Sequence, residues 1–173
     1  MNAKGSDQNQ SCVADFDQLY QTYATDVLRV AYYYLGNREQ AEDVTQDVFV
    51  RYLMNQPKLI PGKEKAWLFK VTLNRCKDLW RSSWLKKIIL GHPRFECIPA
   101  PDEIGSVAEK QALAEAVNSL RPEYKDVVLL FYYQGFSVAE ISEMLGIAEG
   151  TVSSRLSRAR SKLEANLKGA DLT

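Results

Sequence analysis

A chain of 173 residues with 46% hydrophobic and 25% charged side chains has the size and balance of a globular protein, one medium domain or two small ones. Its longest unbroken apolar run, Val127 to Tyr133, falls far short of a membrane span, and the polar start MNAKGSDQNQS lacks the apolar centre of a signal peptide, so a cytoplasmic location is expected. The formal net charge is zero, but residues 57–94 carry 10 basic and 2 acidic groups, residues 95–149 carry 3 and 10, and residues 150–173 carry 5 and 2; two basic tracts parted by an acidic one suggest two separate contacts with a polyanion.

Residues 1–13 are expected as a disordered leader. Asp15, with Gln18 three positions on, has the spacing of a reciprocal cap and opens the first predicted helix. Phe16, Leu19, Tyr20, Tyr23, Val27, Val30, Ala31 and Tyr34 then recur at helical spacing until Gly36 stops the run. Asn37 caps a second helix whose inner stripe is Ala41, Val44, Val48, Phe49 and Tyr52. Its other sides carry Glu39, Asp43, Gln46, Asp47 and Arg51, which serve equally as a solvated surface or as a docking surface for a charged partner. Pro57, Pro61 and Gly62 then make a loop.

From Lys65 the chain resumes as a third helix, KAWLFKVTLNRCKDLWRSSWLKK. Trp67, Phe69, Trp80 and Trp84 interleave with Lys70, Arg75, Lys77, Arg81, Lys86 and Lys87. Flat aromatics and cations together are what single-stranded nucleic acid requires, because unstacked bases need a planar partner and the backbone needs positive charge. The simpler account is that Trp67, Val71 and Leu79 fill the core, and for Trp67 that account is preferred. Asn74 either bonds to nearby backbone or reads a base edge. Residues 88–106 contain Gly91, Pro93, Pro99, Pro101 and Gly105 and hold no period, so they read as a linker, although Ile88, Ile89, Leu90 and Phe95 are apolar for one.

The second domain starts near Val107. Ala112, Leu113, Ala116, Val117 and Leu120 make one helix, and Pro122 sits at the first position of the next, PEYKDVVLLFYYQ, which ends at Gly135. Ser137 and Glu140 form a capping box for a short helix presenting Ala139, Ile141, Ser142 and Leu145, and Gly146 ends it. The last helix runs from about Glu149. Turned at about 100° per residue, it puts Val152, Leu156, Ala159 and Leu163 on one side and Ser154, Ser157, Arg158 and Ser161 on the other. Arg155 and Lys162 border the polar side along one edge, Ser153 and Arg160 along the other. Small hydroxyls and one arginine, flanked by cations, suit a DNA major groove with phosphates on both walls. An all-α fold of two small helical domains, the second with a helix-turn-helix, is therefore expected.

The phrase GTVSSRLSRARSKL, preceded by LRPEYKDVVLLFYYQGFSVAEIS, resembles the fourth conserved region of bacterial sigma factors, while EDVTQDVFVRYL and AWLFKVTLNRCKDLWR resemble parts of the second. With these two regions joined by a short linker, the chain resembles an extracytoplasmic-function (ECF) sigma factor over about residues 15–168. The resemblance implies a region 2 domain at 14–87, a linker at 88–106 and a region 4 domain at 107–168. It implies docking on core RNA polymerase, at the beta-prime clamp helices and the beta flap, with Asp43, Gln46, Asp47 and Arg51 at the clamp contact. It implies that the Leu59–Lys65 loop and Asn74 capture a flipped base of the promoter −10 element, with Lys63, Lys65, Lys70, Arg75, Lys77 and Arg81 along the strand. Extruding a base costs a few kcal/mol, which stacking and a polar pocket offset. It implies −35 duplex recognition by Ser153, Ser154, Arg155, Ser157, Arg158, Arg160 and Lys162, and a dedicated anti-sigma factor, often membrane-bound. Two positions depart from the usual pattern: Ser153 stands where a cation is common, and Ala148 forgoes an N-cap worth about 1 kcal/mol.

No cofactor, metal or small-molecule substrate is expected. His92 is the only histidine, which excludes a catalytic His pair or triad, and Cys12, Cys76 and Cys97 are too scattered for a zinc site and fit a reducing compartment. With no nucleophile–base pair or phosphate-binding glycine loop, an enzyme is not expected. The alternative is a self-sufficient helix-turn-helix repressor or activator whose first domain dimerises, although a duplex reader has no use for an aromatic and cationic helix. A purely structural adaptor leaves both basic tracts unexplained.

Overall fold

The computed structural model describes the backbone of residues 6–55, 57, 59–90 and 107–170 and the side chains of 15–55, 57, 59–82 and 109–167. Among the described residues every regular element is helical: α1 (Ser6–Leu35), α2 (Arg38–Asn55), α3 (Glu64–Leu90), α4 (Val107–Asn118), α5 (Pro122–Val128), α6 (Val138–Leu145) and α7 (Glu149–Ala170). None is long and apolar enough to cross a membrane.

α1 begins at Ser6, so residues 6–13, expected as a disordered leader, are helical. Nothing between Ser6 and Asp15 breaks a helix, and with no glycine or proline there Asp15 lies inside the helix instead of capping it. The other end is as expected: Gly36 adopts φ of +66° and its N–H reaches the Tyr32 carbonyl at 2.7 Å. Asn37 then caps α2, its Oδ1 accepting from the Gln40 N–H at 2.8 Å. The predicted stripe of α2 is buried, joined by Thr45, with Tyr52 half-buried.

α3 faces the core with Leu68, Phe69, Thr72, Leu73 and Cys76, while Trp67, Val71 and Leu79 lie only half-buried at its edge. The helix continues to Leu90, so Ile88, Ile89 and Leu90, read as linker, extend α3. Residues 91–106, including His92, Phe95 and Cys97, lie outside the described residues, as does the side chain of Cys12. α4 ends at Asn118, which leaves the buried Leu120 beyond it, and Leu113, expected inside, is 43% exposed.

α5 starts with Pro122 at its first turn and runs into a π-helical turn over Leu129–Tyr133, where the Gln134 N–H reaches back five residues to the Leu129 carbonyl at 3.0 Å. Periodicity alone gives no sign of that turn. Gly135, at φ of +73°, closes it. α1, α2 and α3 pack on one another, as do α4, α5, α6 and α7, and the two groups meet where α1 contacts α4 and α3 contacts α6. Their buried side chains form one continuous core.

Candidate nucleic-acid interface

The helix-turn-helix is built as its sequence dictates. Ser137 Oγ accepts from the Glu140 N–H at 3.2 Å while the Glu140 carboxylate accepts from the Ser137 N–H at 2.8 Å. These hydrogen bonds hold the Glu140 carboxyl below its ordinary value. Gly146 ends α6 at φ of +65°, and Ser142 Oγ donates to the Ile147 carbonyl at 2.6 Å, fixing the turn. Met144 joins Ile141 in the buried face, whereas Ala139, expected there, is exposed. The Ala148 carbonyl accepts from the Thr151 and Val152 N–H groups to start α7.

α7 buries Val152, Leu156 and Ala159, with Leu163 half-buried, so Ser153, Ser154, Ser157, Arg158 and Ser161 face solvent. Ser154 Oγ donates to the Thr151 carbonyl at 3.0 Å and Ser161 Oγ to the Ser157 carbonyl at 3.3 Å, which leaves both oxygens free to accept from base or backbone donors. Two rim cations rest on aromatic side chains. The Arg160 guanidinium donates to the Tyr132 hydroxyl at 2.7 and 3.2 Å, and the Lys162 ammonium lies 6.0 Å from the Tyr124 ring centre. Arg155 is half-buried.

The second basic set lies on α3 and the loop before it, where Gly62 at φ of +87° turns the chain. Lys70, Asn74 and Arg81 are exposed. Lys63 pairs with Glu143 at 3.3 Å, Lys65 Nζ donates to the Gln134 carbonyl at 2.7 Å, and Lys77 pairs with Asp126 at 2.6 Å. Arg75 pairs with Asp47 at 2.6 Å, and Arg51 reaches the same carboxylate oxygen at 2.8 Å. The clamp and strand residue sets, read separately from sequence, thus share Asp47. Phe69 is fully buried against Phe136 and offers no stacking surface. Trp67 is half-buried edge-on to Tyr52, and Trp80 is half-buried, so neither forms a freely exposed platform; the side chain of Trp84 is outside the described residues. On α2, Asp43, Gln46 and Arg51 are exposed and Asp47 is half-buried.

A group that sequence reading missed joins the two basic sets. Lys125, fully buried, donates to the Tyr34 carbonyl at 2.7 Å, and Asn118 Nδ2 donates to the same oxygen at 2.9 Å. Asp126 is 4% exposed at its side chain, and burial raises its carboxyl above the ordinary value although Lys77 pulls it back. Burial likewise pushes the Tyr34 hydroxyl and the Cys76 thiol far up, so both stay neutral and Cys76 is no nucleophile. The available signal was a Lys-Asp pair set directly before the apolar run Val127 to Tyr133, but charges are fully buried almost only when paired, and the partners lie far along the chain. Among the described residues no cluster of His, Cys, Asp and Glu has the makings of a metal site.

Comparison with known proteins follows the same division. A family model described as Sigma-70 region 2 matches residues 19–86 and one described as Sigma-70, region 4 matches residues 110–163. The ECF RNA polymerase sigma factor SigL of Mycobacterium tuberculosis is 34% identical over 163 residues, covering 90% of both chains. The ECF RNA polymerase sigma factor SigE of Mycolicibacterium smegmatis is 32% identical over 160 residues, which covers 90% of this chain but spans only 62% of the relative. Among solved structures, the sigma factor RpoE in complex with the anti-sigma factor NepR from Bartonella quintana superposes with a TM-score of 0.74 at 28% identity, over 89% of this chain and 97% of that one. CnrH in complex with the cytosolic domain of CnrY superposes with a TM-score of 0.65 at 25% identity, over 89% and 88%.

Proposed function

Since this chain belongs to the ECF family of RNA polymerase sigma factors, we propose that it binds core RNA polymerase and directs it to a restricted set of promoters. One observation carries the reading most directly: Ser154, Ser157, Arg158 and Ser161 stand exposed opposite the buried Val152, Leu156 and Ala159, on the second helix of a capped helix-turn-helix. Small hydroxyls let the helix sink into the major groove, Arg158 has the fork geometry for a guanine edge, and Arg155, Arg160 and Lys162 meet phosphates. Residues 107–168 form the −35 module. Residues 14–87 form the module for polymerase and the −10 element, and 88–106 connect them.

In the first module Asp43, Gln46, Asp47 and Arg51 contact the polymerase clamp helices, with the beta flap taking the second module. Asn74, Lys70 and Arg81, exposed along α3, receive the unpaired strand together with Lys63, Lys65, Arg75 and Lys77. The protein carries no catalytic chemistry of its own, needs no cofactor, and works in the cytoplasm. An anti-sigma factor holds it inactive, a partnership supported by RpoE with NepR. The relatives named above are sigma factors, and none supports a self-sufficient repressor.

The test is transcription in vitro from genomic templates by core polymerase with and without the protein. New, discrete start sites sharing −35 and −10 sequences are expected. Polymerase binding without any new start site would refute the reading.

A further inference from the structure

Lys63, Lys77, Arg51 and Arg75 each face a carboxylate of the chain itself. Arg160 is held differently. Its Nε and Nη2 both donate to the Tyr132 hydroxyl, at 3.2 and 2.7 Å, and among the described residues no carboxylate pairs with it. A neutral phenol fixes one edge of the guanidinium and leaves its charge whole, where a carboxylate would cancel it. Both bonds use the phenol oxygen as acceptor, so its single proton points elsewhere, and among the described residues no acceptor takes it. The Nη1 donors of Arg160 are likewise unspent. Tyr132 reaches this place through the π turn. Leu129 and Leu130 at its start are buried, whereas Tyr132 is 53% exposed, its ring edge-on to Phe131 with centres 5.0 Å apart. Turns of this kind are rare and recur at functional sites.

We infer that Tyr132 is a positioning and phosphate-binding residue of the −35 duplex site: it holds Arg160 along one rim of α7, and its hydroxyl proton and the outer Nη groups of Arg160 take the same backbone phosphate. The inference rests on the reading of α7 as the −35 helix. An arginine stem fixed before contact surrenders less rotamer freedom on binding, so the hydroxyl contributes affinity without reading sequence. Lys162, on the opposite rim, supplies the contrast. Its ammonium lies 6.0 Å from the Tyr124 ring centre, a contact that needs the ring and not the hydroxyl.

The experiment removes single oxygens and single charges. Polymerase is reconstituted with the full chain as wild type, Tyr132→Phe, Arg160→Ala or Tyr124→Phe. Each complex is titrated with a promoter fragment taken from one of the start sites found in genomic transcription. Across the −35 element, each phosphate in turn is replaced by an uncharged methylphosphonate. At one phosphate on the Arg160 rim, neutralisation is expected to weaken the wild type, and Arg160→Ala and Tyr132→Phe each to lose most of that penalty. On the unmodified fragment Tyr132→Phe should bind roughly two- to tenfold more weakly than wild type, with unchanged preference among single-base −35 variants. Tyr124→Phe should keep the wild-type penalty at every phosphate. A merely structural hydroxyl would instead weaken all fragments alike. A wild-type phosphate profile in Tyr132→Phe therefore overturns the inference and leaves the sigma-factor reading intact, as does a Tyr124→Phe profile altered in the same way. Absence of any start site would overturn the −35 reading, and the inference with it.

Discussion

Arg158 is the exposed cation at the centre of the α7 outward face, and its replacement separates base reading from simple attraction. Arg158→Ala should lose about 1–3 kcal/mol of discrimination at one −35 base pair, measured by competition among single-base operator variants. Equal weakening on every variant would reassign it to a phosphate. Lys162→Ala should instead lower the salt slope of promoter binding by about one unit and leave sequence preference unchanged. Asn74→Ala should abolish permanganate reactivity at −10 while −35 duplex affinity stays the same, because Asn74 is exposed on α3 and far along the chain from α7. The α7 residues were legible in the sequence because one side of that helix is buried and a single period sorts its positions. α3 is less so. It is covered by α1 and α2 and again by α6, so its buried arc is wide, and Phe69, placed among the stacking aromatics, turns out to be fully buried.

For whole elements, caps and breakers decided what could be read. Gly36, Asn37, Ser137, Glu140 and Gly146 each act where the sequence places them, since each supplies a backbone conformation or a hydrogen bond that little else supplies locally. The start of α1 was misread because Asp15 and Gln18 mimic a cap within a stretch that nothing interrupts. Ser137→Ala should destabilise the protein by about 1 kcal/mol in urea titration, and −35 binding should weaken with it as α6 frays. The cap also has a pH signature. Glu140 is held below its ordinary 4.5, so its contribution is complete above that value and disappears as pH falls through the lower folded value. In Ser137→Ala that part of the acid dependence should flatten; an unchanged curve would trace it to another carboxylate.

At the scale of the molecule, helix content and order were legible, and the packing of one group on the other was not. Periodicity reports that a side chain is covered without saying by what. Lys125 and Asp126 show the difference: they sit just ahead of an apolar run, and only the fold reveals the Tyr34 carbonyl and the Lys77 ammonium that make their burial tolerable. Lys125→Met should cost about 1–3 kcal/mol by urea unfolding, from the charge-assisted hydrogen bond it removes. Should stability be unchanged, Asn118 alone satisfies that carbonyl.

The last turn of α1 owes its seclusion to its neighbour. Tyr34, Leu35 and Gly36 are buried, and the Tyr34 oxygen is roofed by groups from α4 and α5. Amide protons there are therefore sheltered by a part of the chain more than eighty positions away. Deuterium uptake over this one turn becomes an internal clock for how often the halves separate, with no label attached.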